Sequence, residues 1–193
     1  MLRLIPVVEA RWRDRPFDWA RSETGKDWVE LGAECSDDDV ALVVAILASY
    51  NQVASSGSIP EVTQALEAAH GMVLPGGLLV RAGDFEIAPS CCCGLESWRE
   101  WYGVKPGGSS PWLGHGPSPW VDCKSDAAVM WADGDLGDQS PSISVSYEEI
   151  EAARNAASDA LKSFEARLSD WLAAHAPRSQ GLARRFAEAF DVV

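Results

Sequence analysis

The chain has 193 residues, 47% hydrophobic and 23% charged, enough apolar material for a packed core and too much for a disordered tail, a collagen-like repeat or a disulfide miniprotein. Sixteen Lys and Arg face 29 Asp and Glu, a formal net charge of −13. That balance argues against general affinity for nucleic-acid backbones, and Arg178, Arg184 and Arg185 near the C-terminus are too few cations to reverse it.

Met1 to Pro6 lack the apolar run and small-residue cleavage site of a secretory signal. The longest apolar run, Val40 to Ala48, has nine residues, against the roughly 20 needed to span a bilayer. Cys35, Cys91, Cys92, Cys93 and Cys123 are odd in number with three adjacent, a usage that suits reduced thiols better than a disulfide framework. The expectation is a cytoplasmic protein with no membrane association and no structural disulfide.

Residues 1–35 carry Trp12, Phe17, Trp19 and Trp28 on a polar background without a clear period; strands are the only guess there. Ser36 before Asp37, Asp38 and Asp39 gives an N-cap and an acidic first turn, predicting a helix over 37–50. Ser58-Ile-Pro-Glu61 is a capping-box pattern, with Gly71 as a stop, predicting a second helix over 60–70. Two β-type runs flank Gly83-Asp84 between Gly77 and Ala88, a hairpin signature. Pro119 to Cys123 and Ala128 to Ala132 suggest a second strand pair, and Ile143 to Ser146 alternates as a half-buried strand should. Leu95, Trp98, Trp101 and Tyr102 recur at helical spacing before Gly103. Ser146-Tyr-Glu-Glu149 caps a long helix over 147–175, whose stripe runs Ile150, Ala153, Ala157, Leu161, Phe164, Leu168, Trp171 and Leu172; Pro177 ends it. Leu182, Phe186 and Phe190 make residues 178–193 an amphipathic extension packed on the body. The fold expectation is one α+β domain over 1–193: an antiparallel meander of about five strands (77–146) packed against the helices 37–50, 60–70 and 147–175.

The densest unusual chemistry is Pro89-Ser-Cys-Cys-Cys-Gly-Leu-Glu followed by Pro111-Trp-Leu-Gly-His-Gly-Pro-Ser-Pro-Trp120. Cys91, Cys93, His115 and Cys123 are soft ligands that together offer a four-ligand zinc proposal. The adjacent cysteines depart from the Cys-x2-4-Cys spacing of zinc knuckles, and buried thiols filling a bend beneath the tryptophans are the simpler account. Catalysis by a thiol with His115 as base is another possibility, since Cys93 precedes a helical segment that would lower its pKa. His70 and His175 fall near helix C-termini, where a cation is favourable. Glu96 and Glu100 lie one turn apart, a spacing open to acid–base work but commoner on an exposed helix. Asp133-Gly-Asp-Leu-Gly-Asp138 departs from the calcium-loop pattern and reads as a turn. No Walker loop, dinucleotide fingerprint, His-Glu-x-x-His or nucleophile elbow is present, and no catalytic residue is assigned.

The Cys-Cys-Cys-Gly-Leu-Glu and Trp-Leu-Gly-His-x-Pro-Ser-Pro-Trp stretches resemble those of a group of bacterial proteins of unassigned function, over roughly residues 75–172. The resemblance implies no activity.

Charge is the remaining signal. Asp27 to Val80 contains no Lys or Arg, and Asp27, Glu30, Glu34, Asp37, Asp38, Asp39, Glu61 and Glu67 contribute −8. Such a run is either a plain solvated face or a surface that speeds approach of a basic partner. The functional expectation is a non-enzymatic acidic protein-binding module that contacts a basic protein through Asp37, Asp38, Asp39, Glu61, Glu67, Trp112 and Trp120. An immunity or antitoxin protein acting on a basic toxin would be such a module, and SMI1-like immunity domains offer a fold-level analogy. The alternative is a metal- or thiol-dependent enzyme centred on Cys91, Cys93, His115 and Cys123, with zinc as the possible cofactor.

Overall fold

The structure, a computed structural model, describes residues 1–10, 17–20, 27–90 and 92–192. Trp12 and Cys91, both singled out above, lie outside the described residues. The class is α+β. Among the described residues, seven strands fall into two sheets: β1 (Arg3–Glu9), β2 (Trp28–Glu30), β3 (Gly76–Ala82) and β4 (Phe85–Ile87) in the order β2-β1-β3-β4, and β5 (Trp120–Cys123), β6 (Ala128–Trp131) and β7 (Ser142–Val145) in the order β5-β6-β7. Four α-helices accompany them: α1 (Asp37–Tyr50), α2 (Ile59–Ala68), α3 (Tyr147–His175) and α4 (Gly181–Phe190).

Five strands do lie between residues 76 and 145, but they form no single meander. The β3-β4 hairpin turns at Gly83, whose φ is +59°, with Val80 opposite Ile87, and it extends the sheet of β1 and β2. Only β5-β6-β7 is a self-contained antiparallel meander. β1 escapes periodic reading because Leu4, Ile5, Val7 and Val8 are all buried, so both faces of the strand are apolar and no alternation marks it.

The chain divides into two compact units, one of residues 1–6 and 76–158 and one of residues 7–75 and 159–193. In the first, Leu78, Leu79, Val80, Leu95, Trp98, Trp101, Val121, Met130 and Val145 are buried. Leu95–Gly103 is a 3-10 helix rather than an α-helical turn. Ser146 and Glu149 cap α3 there: the Ser146 amide and hydroxyl donate to Glu149 Oε2 at 3.3 and 3.0 Å.

In the second unit, all nine residues from Val40 to Ala48 are buried. Ser36 caps α1 by accepting from the Asp39 amide at 3.1 Å, while its own hydroxyl donates to Asp39. The residues of the long stripe that fall in this unit (Leu161, Phe164, Leu168, Trp171 and Leu172) are buried, as are Leu182, Phe186 and Phe190 of α4. Phe186 sits 5.3 Å from Phe164 and 4.7 Å from Phe190, ring to ring. Arg185 donates to the carbonyls of Glu67 and Ala69 at the end of α2, a cation placed against unsatisfied carbonyls. Arg167 donates to Cys35 O at 3.0 Å and to the Asp37 carboxylate. Among the described residues no helix is long and apolar enough to cross a membrane.

Two outcomes follow from this packing. Phe186→Ala is expected to remove about 3–5 kcal/mol, read as a lower urea midpoint. The hydrogen bond from Arg167 holds the Asp37 carboxyl below its ordinary value of 3.8. A depressed folded value contributes stability that is complete above the unfolded value and disappears as pH falls through the folded one. The wild-type advantage over Asp37→Asn should therefore be in place at about pH 5 and shrink below 3.8, in urea titrations at stepped pH.

Candidate functional site

Among the described residues, an open cleft of about 500 Å³ lies in the first unit, walled by Glu100, Pro111, Trp112, His115, Pro119 and Trp120. Its wall is the segment between the 3-10 helix and β5, which forms neither helix nor strand, so its backbone groups must find partners other than a regular ladder. Ser90 supplies the first: its Oγ lies 2.8 Å from His115 O, 3.2 Å from Leu113 O and 3.3 Å from Pro117 O, one hydroxyl proton serving three carbonyls, while its amide donates to Leu113 O. Glu100 supplies the second, its Oε2 accepting from the Trp112 amide. Ser110 Oγ accepts from the Val121 amide at 3.0 Å. Gly134 donates to Ser118 O at 2.7 Å, where an added Cβ would clash with that same carbonyl.

The aromatic groups are oriented by this scaffold. Trp112, 42% exposed, meets the His115 ring edge-on at 4.7 Å and donates through Nε1 to Cys92 O at 3.3 Å. Trp120 is half-buried and stacks on Trp131, its cross-strand partner, with centroids 5.1 Å apart and planes 7° from parallel. Glu100 is exposed, and its second oxygen has no protein partner among the described residues. The cleft therefore combines a stacked indole, a half-exposed indole and a carboxylate.

The residues anticipated as partner contacts divide between the two units. Trp112 and Trp120 come together on the cleft. Asp37, Asp38, Asp39, Glu61 and Glu67 lie in the other unit, and several are occupied. Asp37 pairs with Arg167, Asp39 is held in the Ser36 cap, and Glu61 accepts from the Ser58 amide and hydroxyl at 2.8 Å each, which holds its carboxyl below the ordinary value. Asp38 is exposed; Glu67 is half-buried, its carboxylate where a Cβ on Gly181 would fall. A second cation-free run went unnoticed in the sequence: between Lys124 and Arg154, Asp126, Asp133, Asp135, Asp138, Glu148, Glu149 and Glu151 contribute −7. Its Asp133–Asp138 turn is pinned to Ser118 beside the cleft, with Asp133 Oδ1 accepting from the Ser118 amide at 3.4 Å.

Of the four anticipated metal ligands, Cys91 is outside the described residues. Cys93 is buried, His115 is exposed, and Cys123 is half-buried with Sγ 3.7 Å from Ser109 O. Burial raises the Cys123 thiol above its ordinary value, the opposite of what an activated nucleophile needs. Among the described residues no three His, Cys, Asp or Glu gather in a way that could hold a metal ion. Among the described residues no disulfide joins Cys35, Cys92, Cys93 and Cys123 to one another.

Comparison with protein-family models, with curated proteins and with solved structures gives no match for this chain.

Ser90→Ala strips the shared donor from three carbonyls. It is expected to cost about 1–3 kcal/mol and to speed amide hydrogen exchange selectively from Leu113 to Ser118, measured by mass spectrometry on the folded protein.

Proposed function

We propose that the protein is a non-enzymatic acidic module that binds a basic protein partner, with the aromatic cleft as its seat. The observation that carries this reading is the pairing of Trp112 and Trp120 with a Glu100 oxygen left unpartnered, in a chain of net charge −13. Aromatic anchors in a concavity are the usual source of binding energy at protein interfaces, and a surrounding excess of negative charge speeds the approach of a cationic partner. The acidic run before Val80 is the weaker candidate, because Asp37, Asp39 and Glu61 already serve Arg167 and two helix caps.

A cytoplasmic immunity or antitoxin protein that blocks a basic toxin is the form of this activity we favour, in keeping with the SMI1-like analogy. The stretch Trp112 to Trp120, on which the resemblance to the bacterial group rests, is the cleft wall; we propose that the chain belongs with that group and that its members share this seat.

The test is affinity capture from the native host at low ionic strength with wild type, Trp112→Ala and the triple Asp37→Asn, Asp38→Asn, Asp39→Asn. The expected result is one strongly basic protein that is retained by the triple variant, eluted by salt and lost with Trp112→Ala. Capture that ignores Trp112→Ala, or a captured partner with no basic excess, overturns the reading.

A further inference from the structure

We infer that the cleft selects an arginine side chain of the partner over a lysine; this rests on the proposal that the partner is basic and specifies how its charge is recognised. A cation entering the cleft meets two kinds of surface. Trp120 lines the cleft and stacks on Trp131, with centroids 5.1 Å apart and planes 7° from parallel, so its ring is fixed by its neighbour rather than mobile. Glu100 is fixed in orientation because one oxygen accepts from the Trp112 amide, leaving the other as acceptor.

A guanidinium is planar and weakly hydrated, and it presents donors in a fixed fork. It can lie against an indole while directing an N–H to a carboxylate in its own plane. An ammonium is compact and strongly hydrated, and contact with the indole face costs it more of its water. Flat aromatics and an oriented carboxylate in one cleft therefore favour arginine. The apolar wall alone would accept a proline-rich or neutral segment, but the charge of the chain and the Asp133–Asp138 turn beside Ser118 favour a cation.

Three peptides of the same length decide the point, carrying two arginines, two lysines or two citrullines between glycines. They are titrated into the full chain at low salt while the tryptophan indole N–H resonances are followed. The arginine peptide is expected to bind about tenfold tighter than the lysine peptide, with the citrulline peptide weakest. Trp112→Ala and Glu100→Gln should each bring the arginine and lysine affinities to within about twofold of each other. Both side chains are exposed, and circular dichroism verifies that each variant folds. Equal, salt-sensitive binding of arginine and lysine peptides would overturn the selectivity and leave the basic-partner reading standing. Citrulline binding as tight as arginine would overturn a charge-based seat, and no binding by either cationic peptide would remove both proposals.

Discussion

A stretch of chain that forms neither helix nor strand can wall a cleft only if something other than a ladder pairs its backbone. In this protein Ser90 and Glu100 do so along the segment from Pro111 to Trp120, the Gly134 amide donates to Ser118 O, and Ser110 ties the segment to β5 by accepting from the Val121 amide. Glu100 is carried by the 3-10 helix, so the position of Trp112 is inherited in part from that element. The price of the arrangement is sensitivity: each bond removed leaves a carbonyl or amide to find water, and the aromatic wall shifts with it.

The two units treat their acidity differently. In the unit containing α1, α2 and α4, Asp39 and Glu61 serve helix caps and Asp37 pairs with Arg167, while Arg185 closes the end of α2. Negative charge there is part of how helices begin and how a late helix is tied to earlier ones. In the unit containing the cleft, Glu149 caps α3, but Asp126, Asp135 and Asp138 are exposed, and Glu100 spends one oxygen on structure and offers the other to solvent. Similar formal charge in two parts of a sequence thus has unequal meaning once hydrogen bonding is known.

What the residues announce in advance follows from the range of the forces involved. The caps at Ser36, Ser58 and Ser146 and the stripe from Ile150 to Leu172 are local signals, and helices α1 and α3 occupy the expected 37–50 and 147–175. The Gly83-Asp84 turn is equally local. Partition of the strands into two sheets is not, because nothing near Gly76 tells the β3-β4 hairpin to join β1 some seventy residues earlier. β1 itself is silent because burial on both faces erases alternation. For the site, Trp112 and Trp120 were legible as aromatics on a Pro/Gly-rich loop, whereas Glu100 looked like one more surface carboxylate. Its role depends on the Trp112 amide twelve positions away. The second acidic run could have been found by counting charges past Lys124.

The stacked pair Trp120 and Trp131 has a consequence for spectroscopy. Two indoles held nearly parallel at van der Waals separation on neighbouring strands couple their electronic transitions, so their combined signal depends on relative orientation and not on each ring alone. Since Trp120 also lines the cleft, a molecule that settles there lies near one member of a coupled chromophore, and the protein carries its own optical gauge of occupancy.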